Sequence, residues 1–264
     1  MGEVSPLSKE WNGYAERWLE NEPQQLWRAH SDVINARLLV EWLPPQRVRT
    51  ILKTDLFDEA VTGGLHEVLA ARAERVIGLD VSTQILSAAK AKFPDIDSVA
   101  ADVRSIPLAT RSIDAVVSLS TLDHFQSIAD LETSLGELRR ILVRGGTLIM
   151  TIDNMSNPVV ALRNALPYSL THAARLVPYP VGKTDSPSRI VRLVEEAGFD
   201  VKDCSAIMHA PRVLAIPVLN LLDRVIPRSI SSAMTASLRA FEILRASPTR
   251  FITGHFTAIL AMKP

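Results

Sequence analysis

Asp123 and His124 sit side by side in Thr121-Leu122-Asp123-His124-Phe125, just past the apolar run Ile113–Leu119. An imidazole titrates near neutrality, so His124 is the residue best suited to remove a proton from a substrate. Asp123 and His124 form the candidate catalytic pair; the alternative is a capping aspartate and a surface histidine. Two other carboxylates follow apolar runs, Asp80 after Val76-Ile77-Gly78-Leu79 and Asp102 shortly after Ala100. A carboxylate in such a place can accept from two hydroxyls at once. A third acidic group, Asp55, Asp58 and Glu59, is gathered close to Lys53.

These residues need elements to position them. Trp11, Tyr14, Ala15 and Trp18 recur at helical spacing, as do Leu26, Val33, Ala36, Leu39 and Val40. Two helices are therefore expected over 8–43, broken near Asn21-Glu22-Pro23. After Pro44-Pro45 short apolar runs alternate with amphipathic stretches. Strands are expected at Val48–Leu52, Val76–Asp80, near Ala100, Ile113–Leu119, Thr147–Ile152, Phe199–Ile207 and Phe251–Met262. Helices are expected at Gly64–Arg75, Ser82–Phe93 with a Ser cap, Ile128–Leu142 and Ser186–Gly198. This alternation predicts an α/β fold: a seven-stranded, mostly parallel sheet with helices on both faces and a late antiparallel hairpin. Residues 1–45 read as a helical N-terminal cap on a domain of 46–264, with helical insertions at 154–185 and 211–247. Ligands of such sheets gather at the carboxyl ends of the strands.

Composition narrows the function. Lys+Arg and Asp+Glu both number 29, so there is no basic excess and no nucleic-acid partner is expected. One cysteine, Cys204, allows neither an intrachain disulfide nor a thiolate cage. It reads as a small core residue beside a strand. No His/Cys/Asp/Glu set has metal-ligand spacing, and neither a phosphate loop nor Gly-x-Ser-x-Gly occurs, so no metal is expected. The first residues lack the pattern of a secretory signal, which leads to a cytoplasmic expectation.

The order Leu79-Asp80-Val81, Ala101-Asp102-Val103, Ile113–Ser120, Leu138–Leu148 and Val194–Phe199 resembles the class I, Rossmann-like methyltransferases. The resemblance implies S-adenosyl-L-methionine as cofactor. Asp80 and Val81 would stand at its ribose, Asp102 and Val103 at its adenine, and Ser118 and Leu119 near the methyl donor. It departs at the first strand, where the family carries an acid and then a glycine-rich loop. Here Lys53 stands at the acid, and the glycines appear only at Gly63-Gly64. Asp55, Asp58 or Glu59 could meet the cofactor's ammonium, while Lys53, Thr54 or a helix N-terminus near Gly63 could meet its carboxylate. Alternatively the three acids solvate a loop and Lys53 pairs with one of them.

The resemblance implies a methyltransferase, and a small-molecule or lipid-like acceptor, methylated at oxygen or nitrogen, is expected. Trp11, Tyr14 and Trp18 fit an aromatic lid over the cofactor or a plain packing stripe; His30 and His172 could also reach a closed site. Residues 211–230, apolar and flanked by Arg212, Arg224 and Arg228, suit a greasy pocket, a membrane surface, a buried helix or a homodimer face. A catalytically silent binding or scaffold protein is the rival from another class, motivated by the altered loop. An NAD-dependent oxidoreductase is weaker, because Gly-x-Gly-x-x-Gly is absent as well.

Overall fold

The computed structural model describes residues 6–21, 24–173, 181–225, 233 and 235–264. Parts of both insertions, 174–180 and 226–232 with Arg228, lie outside the described residues, as does 234. The cap consists of α1 (Pro6–Asn21) and α2 (Gln25–Trp42), broken where the sequence predicts. The sheet is built from β1 (Val48–Thr54), β2 (Ala73–Asp80), β3 (Asp97–Ala100), β4 (Ile113–Leu119), β5 (Leu142–Asp153), β6 (Asp200–Ile207) and β7 (Phe256–Met262). Its order is β3-β2-β1-β4-β5-β7-β6. The first five strands run parallel, and β7 is antiparallel to both β5 and β6.

Side-chain alternation explains why both faces are covered. In β4, Val116 joins a core with Leu52, Leu148 and the apolar stripes of α6 (Ile128–Ile141) and α9 (Pro187–Glu196). Its neighbours Ala115 and Val117 point the other way, toward Trp27, Ile34 and Leu38 of α2. The same second core takes α4 (His66–Arg72) and, through Ala215 and Leu219, α10 (Arg212–Val225). Between the cap and β2, α3 (Phe57–Val61) packs on α5 (Thr83–Lys92), which opens on Ser82 as cap. The first insertion contributes α7 (Pro158–Ala165) and α8 (Tyr168–Ala173).

Some boundaries move for tertiary reasons. The helix expected over Gly64–Arg75 stops at Arg72, because the parallel ladder with β1 begins at Val48↔Ala73. The turn at Gly145-Gly146 lies inside β5, which starts pairing with β4 at Ile113↔Leu142. Gly145, at φ +73°, donates its N–H to the Lys263 carbonyl. The last strand begins at Phe256 and not Phe251, because Arg250–Thr253 forms one helical turn. Cys204 lies in β6, and burial pushes its thiol up to about 11, which makes it a poor nucleophile. Among the described residues no helix is long and apolar enough to cross a membrane.

Gly78 in β2 allows the loop after β1 to descend onto the sheet. A Cβ there would stand 2.3 Å from Leu56 Cδ1 and 2.8 Å from its Cγ, and Leu56 is completely buried. Gly78→Ala should therefore cost about 1–3 kcal/mol of overpacking in chemical denaturation. Combined with Leu56→Ala it should cost less than the sum of the two, since each relieves the other.

Candidate active site

The loop that follows β1 is held by a buried ion pair. Lys53 is 4% exposed and Glu59 is 0% exposed. Lys53 Nζ donates to Glu59 Oε2 at 2.7 Å and to the Asp55 carbonyl at 2.5 Å. Glu59 Oε1 accepts from the Leu65 N–H at 2.9 Å. The close approach requires a glycine at 64, where a Cβ would meet Glu59 Oε1 at 2.7 Å and φ is +57°. Asp55 itself sits at φ +72°, a conformation aspartate tolerates better than most residues. Burial would lower the Lys53 ammonium, but Glu59, Asp55 and Asp58 outweigh it and hold it above its ordinary range.

A cavity of about 320 Å³ runs along the carboxyl edge of the sheet in the order of the strands. Over β2 and β3 it is lined by Asp80, Val81, Ser82, Asp102, Val103 and Arg104. Its middle, over β1 and β4, meets Asp55, Phe57, Asp58, Thr121 and His124, roofed by Trp11, Tyr14 and Trp18. Toward β5 and β7 it reaches Trp27, Ser31, Asn35, Leu119, Thr151, Arg212 and Phe256. The roof is closed by aromatic contacts: Trp11 is edge-on to His124 at 5.0 Å and to Tyr14 at 5.6 Å. Tyr14 also hydrogen-bonds Tyr168 of α8; burial first, then Tyr168, raises its phenol above the ordinary value.

Residues 60–150 match the family described as a methyltransferase domain, a match that begins just past Glu59. A probable S-adenosylmethionine-dependent methyltransferase of Mycolicibacterium smegmatis is 23% identical over 170 residues, 63% of this chain and 61% of that protein. A demethylmenaquinone methyltransferase of Paenarthrobacter aurescens is 32% identical over 138 residues, 52% of this chain and 51% of that protein. The chain thus spans between half and two thirds of the length of these relatives. A Haloferax volcanii methyltransferase, solved with its Trm112 activator, superposes with a TM-score of 0.61 at 15% identity, covering 95% of this chain and 97% of that one. Residues 60–150 thus match a methyltransferase domain, and the fold is that of the class I, Rossmann-like methyltransferases.

The family's cofactor is S-adenosylmethionine, and the cavity fits it. Asp80 Oδ2 accepts from the Leu56 N–H at 2.9 Å and Oδ1 from the Ser82 N–H at 2.8 Å. Each oxygen keeps a lone pair for a ribose hydroxyl. Asp102 is clamped by Arg104, whose Nη2 donates at 2.6 Å, and Arg104 bridges on to Asp130 at 2.8 Å. A base placed there would share Asp102 with that guanidinium. Where glycines would bring bare backbone to the methionine end, this loop presents the side chains of Asp55, Phe57 and Asp58. Arg28 of α2 faces them: Nη1 donates to Asp58 Oδ1 at 2.6 Å, and Cζ stacks 4.3 Å from the Phe57 ring and 4.5 Å from Trp18. Its buried Nε has no hydrogen-bond partner among the described residues, which suits the carboxylate of an amino acid. The carboxylates suit an ammonium.

This part of the molecule carries more negative charge than it neutralises. Burial, then Asp55, pushes the Asp80 carboxyl up to about 7. Burial also raises Asp55, against the pull of Lys53. Nearby, burial and then Asp58 push Asp32 up to about 7. A cationic ligand would bring all of these back toward the ionised form.

The structure gathers most of the sequence-derived candidates and separates a few. Asp55, Asp58, Asp80, Val81, Asp102, Val103, Leu119 and His124 line the cavity. Glu59 does not, being consumed by Lys53 beneath the loop. Gly63 is exposed and off the cavity, and Ser118 is buried beneath it, accepting from Thr54 Oγ1 at 2.9 Å. Asp123 stands behind His124, with Oδ1 4.0 Å from His124 Nε2 and Oδ2 accepting from Ser120 Oγ. Burial pushes its carboxyl up to about 6, with His124 opposing. His30 is packed on Trp27, fully buried and pushed down to about 4 by that burial; His172 lies in α8 against Tyr168. Neither lines the cavity. Among the described residues of the apolar stretch, only Arg212 reaches the cavity; Ala215 and Leu219 fill the core against α2, while Val213, Val218 and Leu221 are exposed. Arg28 and Phe57 gave no sequence signal, because their roles depend on α2 crossing over α3.

Two expectations follow. Lys53→Met strands Glu59 in the core and should cost about 3–5 kcal/mol, read by denaturant titration, with Lys53→Met/Glu59→Leu recovering much of it. Stability of the ligand-free protein should also depend on pH in an unusual direction. Asp32 and Asp80 have folded values near 7 against 3.8, so the native state holds extra protons that it loses as pH rises through 7. The histidines lowered in the native state, His30, His209 and His255, oppose this mainly below their ordinary 6.5, and the opposition fades within about a unit above it. Melting temperature should therefore fall between pH 6.5 and pH 8; a rise across that interval would show that these carboxyls are ionised in the fold.

Proposed function

We propose that this chain transfers a methyl group from S-adenosylmethionine to a small acceptor with an apolar body, at an oxygen or nitrogen that must lose a proton. The observation that carries the proposal is the continuity of one cavity from Asp80 and Asp102, past His124, to Trp27 and Phe256. Bound S-adenosylmethionine supplies an electrophilic methyl on a sulfonium. The chain's part is to hold the two reactants in line and keep water out.

Each end has residues suited to that work. Asp80 is set to hold a ribose, Arg28 a carboxylate, and Asp55 or Asp58 an ammonium. His124 opens onto the middle of the cavity and is the proposed base, with Asp123 behind it as its positioning carboxylate. The aromatic roof excludes water above them. The support for an apolar acceptor is the row Trp27, Leu119 and Phe256, and not the helix that follows Arg212. Among the relatives, one is named a demethylmenaquinone methyltransferase and another a ubiquinone/menaquinone biosynthesis C-methyltransferase.

Calorimetry with S-adenosylmethionine and with S-adenosylhomocysteine tests the proposal. Both should bind, and the cationic methyl donor should gain on the neutral product as pH rises from 6 to 8, because Asp80 ionises across that range. Asp80→Ala should weaken both by about 1–3 kcal/mol. Asp55→Asn should reduce the pH-dependent preference for the donor, since Asp55 adds to the burial that holds the Asp80 carboxyl high. Absence of heat with either compound would favour a protein that keeps the fold as a binding scaffold without transferring methyl groups.

A further inference from the structure

The two helical insertions hold apolar side chains in water to an extent that the rest of the molecule does not. Among the described residues eleven large hydrophobic side chains are exposed, and nine of them belong to 154–185 and 211–247. Single exposures scattered over a surface are ordinary, whereas a set gathered in two segments marks a surface that meets something else.

Each insertion turns one side inward and leaves an apolar side out. In α7, Val160 is completely buried and Arg163 turns to Asp153, while Val159, Leu162 and Leu166 share an outer stripe. Leu170 of α8 continues the exposed set. In α10, Ala215 and Leu219 pack against α2, and Val213, Pro217, Val218 and Leu221 occupy the opposite side. An ordinary surface helix is polar on that side. From Val213 to Leu221 this one carries no charge at all. The two helices meet at one corner of the molecule, where Arg163 Nη1 and Arg212 Nη1 reach the same His255 Nε2 at 3.3 and 3.4 Å. Arg212 also lines the β5–β7 end of the cavity, so the exposed faces adjoin that end.

Charge follows the same division. The whole chain balances 29 Lys and Arg against 29 Asp and Glu, yet the sequence of the two insertions holds eight of the first and three of the second. Arg163 and Arg245 are spent on Asp153 and Glu41, which lie outside the insertions, and the other six still outnumber the three acids. Apolar side chains within a positive surround suit an anionic bilayer: the first enter the headgroup boundary, and the second meet lipid phosphates. A second copy of this chain fits less well, because a twofold interface sets one patch against itself and so opposes like charge to like. The geometry is that of a helix lying on a membrane and not crossing it. The 14 residues of α10 rise about 21 Å, short of the roughly 30 Å of a hydrocarbon core.

We propose that the two insertions form one docking face for an anionic membrane surface, with the outer sides of α7 and α10 set into the headgroup boundary. The proposal goes beyond methyl transfer and does not depend on it. Docking in this way sets the β5–β7 end of the cavity beside the lipid, a source from which an apolar molecule can enter.

The test mixes the full chain with vesicles of phosphatidylcholine alone, or of phosphatidylcholine with about 30 mol % phosphatidylglycerol, and separates bound protein by flotation. Partitioning onto the anionic vesicles should exceed that onto the neutral ones about tenfold in low salt. The difference should shrink in about 0.5 M salt, where exposed charges are screened. Leu221→Asp and Leu162→Asp should each lower partitioning about fivefold or more, by placing a charge at the headgroup boundary. Both side chains are exposed and off the cavity, so melting temperature and S-adenosylhomocysteine affinity should not move. The neutral variant Leu221→Ser should also weaken partitioning, and Leu221→Trp, a better interfacial anchor, should strengthen it. Absence of partitioning, equal partitioning onto the two kinds of vesicle, or partitioning that none of these variants changes would overturn the membrane face. A dimer in sedimentation velocity that Leu221→Asp dissociates would overturn it too, and would assign the face to a second copy. Failure of the unmutated chain to bind S-adenosylhomocysteine, with partitioning intact, would count against the methyltransferase reading alone.

Discussion

The pair Lys53–Glu59 is the constraint from which the rest of the site follows. An isolated ammonium or carboxylate in a dry interior costs several kcal/mol, so neither residue could be where it is without the other. Together they are almost fully satisfied: Glu59 takes the Leu65 N–H as well as Lys53, and Lys53 takes the Asp55 carbonyl as well as Glu59. That last bond holds Asp55 in its left-handed turn and so aims its carboxylate at the cavity. Leu56, the next residue, drops into the space left by Gly78, and α3 then starts with Phe57 and Asp58 facing the ligand side. A loop that the family shapes with glycines is here shaped by a buried ion pair.

The exchange has electrostatic consequences. Glycines leave a cofactor site lined by neutral backbone, whereas this loop brings in two carboxylates in addition to Asp80. Arg28 compensates one of them, Asp58, and is held by stacking between Trp18 and Phe57. Asp55 and Asp80 remain close to one another in a buried place, and their proton affinity rises together. Such excess negative charge suits a cationic ligand.

The cap is part of this arrangement. Trp11, Tyr14 and Trp18 both pack and roof the site, so the two readings of their spacing are not exclusive. Ala15 and Trp18 are buried in the molecule, while Trp11 reaches His124. The first insertion adds to the enclosure, as Gly182 and Lys183 donate their N–H groups to the carbonyls of Asp123 and Phe125. The backbone that carries His124 is thus fixed from outside the sheet.

Much of this was legible in the order of residues alone. Continuous apolar strands alternating with amphipathic helices give the parallel sheet, because each strand buried on two faces must be apolar throughout. Asp80, Asp102 and His124 were legible for the same reason: they follow strands, and strand ends in such a sheet face one edge. What the sequence could not show is which of three neighbouring acids is spent on Lys53, since that depends on how α3 folds back beneath β1. Nor could it show that Ala215 and Leu219 turn toward α2 while Arg212, a few residues earlier, reaches the cavity. Period and spacing determine the elements and the edge on which chemistry collects. Only tertiary packing decides which charges are buried against each other and which are left for a ligand, because desolvation and pairing are properties of the folded surroundings of a side chain.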